Sequence, residues 1–123
     1  MKDGQPNDLE RMRNTLDRYV KRQGRRLDPD GIYCKKHALQ LKASLEKRAA
    51  GPQYSLGKVT KLDKQGPDLR HASGGIYNFH YLVEAIVGDA SYVLDPLLRR
   101  IVPKSNYISD AYKNSEQATW DES

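Results

Sequence analysis

Residues 80–96 read HYLVEAIVGDASYVLDP. Two arms rich in β-branched and aromatic side chains flank Gly88-Asp89, the pattern of a β-hairpin closed by a two-residue turn, and the first arm reaches back to Ile76. If Gly88 and Asp89 alone form the turn, Asp95 lies opposite Leu82, and period-two alternation puts Leu82 on the same face as His80. His80 and Asp95 are then diagonal neighbours about 7 Å apart at Cα, within reach of a side-chain hydrogen bond. A register slip of one residue sends them to opposite faces.

Upstream of the hairpin the apolar period changes from two to that of a helix. Leu9, Met12, Leu16, Tyr19 and Val20 form an amphipathic face from about Asp8 to Gln23, which Gly24 ends. Asp28-Pro29-Asp30-Gly31 is expected to turn the chain and offer a cap. A second helix follows from about Ile32 to Ala49, with Cys34, Ala38, Leu41 and Leu45 at helical spacing and Gly51-Pro52 as its stop. Cys34 therefore opens that helix. Tyr54 to Leu62 is expected as a strand, and Asp63 to Gly75 as an exposed loop with His71 at the surface. Beyond Asp95-Pro96, the residues Leu97, Leu98, Ile101 and Val102 suggest one more strand, and Ser105 to Tyr112 a short helix.

The predicted class is α+β, with N-terminal helices packed on a small antiparallel sheet. At 123 residues the chain is long enough for one domain and one modest core. Residues 1–30 supply the N-terminal helix and turn, 31–112 the core, and 113–123 a polar tail expected to fray. Its longest apolar runs are too short to cross a bilayer, so no membrane partner is expected. The N-terminus is charged and lacks the apolar stretch of a secretory signal. A net charge of +5 favours acidic partners, although aromatic residues are not interleaved with the cations in a recognition pattern.

The single cysteine excludes an internal disulfide and leaves a thiol that is either a small buried hydrophobe or a nucleophile. In the first turn of a helix, unpaired backbone N–H groups and the helix dipole favour the thiolate. A nucleophile needs a base, and the base an orienting acceptor. Cys34, His80 and Asp95 supply the three in that order. A metal pair of Cys34 with His37 lacks recognised ligand spacing for the remaining positions, and neither metal nor cofactor is expected.

The order Cys, His, Asp, with the cysteine opening a helix, the histidine in a strand and the aspartate closing the next strand before proline, resembles the papain-like fold. Within it, the chain is most similar to the small catalytic domains of bacterial toxins and effectors, namely glutamine deamidases and dermonecrotic-toxin-like cysteine proteases. The resemblance spans about Gly31 to Pro103. It implies a papain-like core with Cys34 as nucleophile, His80 as base and then acid, and Asp95 as orienter. It also implies delivery from a larger secreted protein, action on a target protein in a reducing cytoplasm, and an acidic immunity or inhibitor protein as partner. Such enzymes commonly carry a glutamine donor shortly before the cysteine. Here Asp28 to Gly31 stand in those positions, so the oxyanion hole has to come from the Cys34 N–H and a neighbouring donor, or from a residue that the sequence does not place. Two other readings stay open: a ribonuclease toxin using His80 among basic residues, with nucleic acid as partner, and a non-catalytic interaction domain on the same scaffold.

Overall fold

A computed structural model describes residues 5–27 and 33–121. The expected Asp28–Gly31 turn and the start of the second helix at Ile32 lie outside these residues. Three helices, α1 (Gln5–Gln23), α2 (Cys34–Arg48) and α3 (Lys104–Ala111), accompany seven strands. The strands are β1 (Gln53–Lys61), β2 (Leu69–Arg70), β3 (Ile76–Tyr77), β4 (Phe79–Val87), β5 (Ala90–Asp95), β6 (Arg100–Pro103) and β7 (Ala118–Trp120). Five of them form one sheet in the order β6-β5-β4-β1-β7, antiparallel throughout, and β2 and β3 pair separately. The class is α+β, as expected.

The β4–β5 hairpin closes as the sequence predicts: Val87 pairs with Ala90, and Gly88 takes a positive φ of 61° that a side chain would resist. The ladder runs on to Val83–Leu94, which fixes the alternation of both strands. Val83, Ala85 and Leu94 pack under α1 and α2 with Met12, Leu16, Leu41 and Leu45. Leu82 and Val93 face the other way, against Tyr107 and Ala111 of α3 and Leu69 of β2. The sheet is thus covered on both faces. The first 49 residues carry thirteen lysines and arginines against seven acids, and the remainder eight against nine.

Two expectations change. The arm from Ile76 to Val87 is not continuous, because Asn78 separates β3 from β4 and β3 folds back through Gly74-Gly75 to pair with β2. Gly74 provides the positive φ of 103° that this reversal needs. The loop expected over residues 63–75 therefore ends in paired backbone. The tail is not frayed over its described residues, which end at Asp121. Residues 118–120 pair with Val59, Thr60 and Lys61, and the Trp120 ring lies 5.6 Å from that of Tyr107. Lys104 sits 4.9 Å over the same indole. Trp120→Ala is expected to lower the unfolding free energy by about 2 kcal/mol, the scale for losing a large half-buried aromatic contact. Urea unfolding followed by circular dichroism measures it, and an unchanged midpoint would mean that the strand adds nothing.

Candidate active site

Cys34 begins α2 after Tyr33, whose carbonyl accepts the first helical hydrogen bond, from the N–H of His37. The thiol is buried to 8% exposure at the point where this helix end meets His80 and Tyr81 at the start of β4. Burial pushes its pKa up. The nearby His80 side chain, the backbone N–H of Tyr81, the charge of His80 and the N–H of Lys35 more than offset that, and the thiol ends below its ordinary value. The activating field expected at a helix start is present, and Tyr81 adds a donor from the neighbouring strand.

His80 is 1% exposed. Its Nε2 lies 3.0 Å from Asp95 Oδ1, which bears out the facing of the two residues read from the hairpin register. The ring stacks on Tyr77 at 5.0 Å and 11° between planes, which fixes its orientation. With Nε2 committed to the carboxylate, Nδ1 is the nitrogen left for the thiol; it is buried and makes no hydrogen bond of full geometry, to the thiol or to any other group. Burial pulls the imidazole down. The charge and hydrogen bond of Asp95, and then Cys34, outweigh this and push it up to about 9.

Asp95 is wholly buried and accepts four hydrogen bonds. Oδ1 receives His80 Nε2 and the Leu97 N–H at 2.9 Å, and Oδ2 receives His71 Nε2 at 2.8 Å and the Tyr107 hydroxyl at 2.6 Å. Burial alone pushes its pKa up, but His80 and His71 hold the carboxyl well below its ordinary value. The same carboxylate and burial push Tyr107 well above its own ordinary value, burial being the larger cause. Tyr107 in turn meets the Tyr112 hydroxyl at 3.2 Å.

All three residues of the expected constellation come together, and two further ones join them. His71 is not at the surface: it is 1% exposed, forms a β-bridge with Tyr112, and its ring lies 5.0 Å from that of His80. A single histidine in a stretch rich in Gly, Pro and Asp carries no burial signal, because its burial comes from pairing with a residue 41 positions later. Tyr107 falls within the short helix expected over residues 105–112, where nothing in the sequence singles it out. His37 points away from Cys34, with Nδ1 2.8 Å from the Tyr19 hydroxyl and Nε2 3.0 Å from the Arg26 carbonyl. A metal pair of Cys34 and His37 is thereby overturned. His71, His80 and Asp95 have the residue types and closeness of a metal site, yet their ligand atoms already donate to and accept from one another. The Asp28–Gly31 segment, where an oxyanion donor was sought, lies outside the described residues.

Exposed groups flank this buried core. Tyr33 and Phe79 stand beside Cys34 and His80, and Lys58 lies 4.7 Å over the Phe79 ring and 5.6 Å over that of Tyr81. Lys35 covers the Tyr81 ring from α2 at 5.4 Å. A depression beside the first turns of α2 is lined, among the described residues, by Arg25, Arg26, Lys36 and Tyr33 together with uncharged side chains and His37. Compared with protein-family models, characterised proteins and solved structures, the chain matches none.

Proposed function

We propose that this protein is a thiol hydrolase of amide bonds, with Cys34 as nucleophile, His80 as proton carrier and Asp95 as orienter, on a papain-like core. Within that class, we assign it to side-chain deamidation of protein glutamine in preference to peptide cleavage. The observation that carries the reading is the buried relay in which the Cys34 thiol meets His80, and His80 Nε2 meets a carboxylate saturated with donors.

In the resting pair, the thiol proton resides on His80, giving thiolate and imidazolium. The thiolate attacks the carboxamide carbon and forms the C–S bond. The imidazolium passes its Nδ1 proton to the departing amine, the C–N bond breaks, and ammonia leaves a thioester. Neutral His80 then takes a proton from water as the water attacks the thioester carbon. Collapse breaks the C–S bond and restores thiolate and imidazolium, and the carboxylic acid that leaves gives its proton to solvent or to the freed ammonia. Asp95 keeps Nε2 protonated throughout.

The three helices and seven strands described offer little wall for an extended peptide, which favours a single side chain as substrate. The cations beside α2 suit an acidic target or an acidic inhibitor protein, and a single unpaired cysteine suits work in a reducing cytoplasm after delivery as part of a larger secreted protein. The ribonuclease reading draws less support, since both His71 and His80 are buried against Asp95.

A glutamine-bearing protein such as casein serves as the test substrate, with released ammonia and product masses followed for wild type and Cys34→Ala. Ammonia release with an intact backbone, abolished in Cys34→Ala, is the expected result. Backbone cleavage would move the assignment to a protease. Equal activity in Cys34→Ala, or none in either, would overturn the hydrolase.

A further inference from the structure

We propose that His71 is a positioning residue: a neutral second histidine that holds the Asp95 carboxylate in place and draws on its charge, so that His80 remains able to give its proton away. This role rests on the thiol-hydrolase reading, but the tautomer of His71 and its effect on His80 are independent of any substrate.

The tautomer follows from the hydrogen bonds. The Ser73 backbone N–H can only donate, and it points at His71 Nδ1 from 3.0 Å, with the Ser73 hydroxyl 2.7 Å from the same nitrogen. Nδ1 is therefore an acceptor, and the ring hydrogen sits on Nε2, 2.8 Å from Asp95 Oδ2. The backbone holds the ring there. The His71 N–H donates to the Gly75 carbonyl, the Gly74 N–H to the His71 carbonyl, and the neighbours Arg70 and Ala72 are bonded to Lys113 and Ala111.

The absence of charge on this second donor matters for its neighbour. His80 must carry a positive charge during part of the cycle, and the groups around it are Asp95, Cys34, His71, Tyr77, Tyr107 and Tyr112. A cationic donor in place of His71, with its ring centre 5.0 Å from that of His80, would repel the imidazolium. A neutral N–H orients the carboxylate without that repulsion. With Tyr107 it occupies Oδ2, so Oδ1 is left to His80 and the Leu97 N–H and the carboxylate cannot rotate. Each donor also takes a share of the negative charge. With one removed, Asp95 binds the His80 proton more tightly, and delivery of that proton to the leaving amine slows.

Imidazole NMR on the full chain tests this. In the wild type, the nitrogen shifts of His71 are expected to be those of the neutral Nε2–H form. In His71→Leu, His80 is expected to titrate about one unit higher, with kcat reduced about tenfold and KM unchanged. His71→Gln retains a donor of similar reach and is expected to restore most of both. A charged or Nδ1–H His71 overturns the proposal, as does a folded His71→Leu in which His80 titrates unchanged. If His71→Leu does not fold, the wild-type tautomer and the His80 titration of His71→Gln decide. Absence of amide hydrolysis from the wild type, with the His80 shift intact, would remove the hydrolase reading while this structural role stands.

Discussion

His80→Ala is expected to raise the Cys34 pKa above its ordinary value and to slow alkylation by iodoacetamide near neutrality by at least about tenfold. Burial already pushes this thiol up, and His80 contributes two of the influences that pull it down, its polar side chain beside the sulfur and its charge. Without the imidazole, only the Tyr81 and Lys35 N–H groups oppose burial. Alkylation follows the thiolate fraction, so each unit of upward shift costs about a factor of ten at fixed pH below the pKa. The substrate profile carries the same signature. Amide hydrolysis is expected to fall on the alkaline side near about 9, where His80 loses its proton, and on the acid side as Cys34 gains one, somewhere below its ordinary value. Both limbs belong to the pair and not to either residue singly. An alkylation profile identical in wild type and His80→Ala would make Cys34 a structural cysteine.

Asp95→Asn is expected to produce the largest loss of stability, about 3–5 kcal/mol, because four donors converge on one buried carboxylate. The pH dependence gives the mechanism. Asp95 titrates below its ordinary value when folded, so its contribution is present above about pH 4 and is lost as pH falls through the lower folded value. For His80 the sign is opposite. Its pKa is raised from 6.5 to about 9, so its contribution is complete below about 6.5 and is lost as pH climbs to about 9. Wild-type stability should therefore be greatest between about pH 4 and 6.5 and decline by about 3 kcal/mol toward pH 9. In Asp95→Asn the alkaline decline should largely vanish, since the carboxylate that raises His80 is gone. Urea unfolding midpoints across that range measure both effects. An unaltered alkaline decline in the variant would show that some other group supports the imidazolium.

The parts of the site visible in the sequence are those set by short-range rules. Gly88-Asp89 specifies the turn length, the turn specifies the register, and the register puts His80 and Asp95 on one face. Cys34 is placed by the helical period and the turn ahead of it. His71 and Tyr107 escape this logic. Each reaches Asp95 through packing between segments distant in sequence, and neither has a local pattern that distinguishes a buried polar group from a surface one. The tail was misread for a related reason. Its polar composition suggests fraying, whereas three residues paired to β1 and one indole against Tyr107 suffice to dock it. The one signal available was Trp120 itself, the only tryptophan in the chain.

The first 49 residues, which hold α1 and α2, carry an excess of six positive charges and the other 74 an excess of one negative, so that helical segment is the positive pole of the chain. Cys34 opens one of those helices. An acidic macromolecule drifting past feels a torque before it touches, and at low ionic strength it is turned to meet the positive pole first. A small neutral amide is not. Encounter with an acidic protein should therefore slow as salt shortens the Debye length to about 8 Å and below, while the reaction of Cys34 with an uncharged amide hardly changes. Under the proposed function, acidic proteins should therefore meet this chain faster than neutral ones of the same size, at a distance that its buried relay cannot reach.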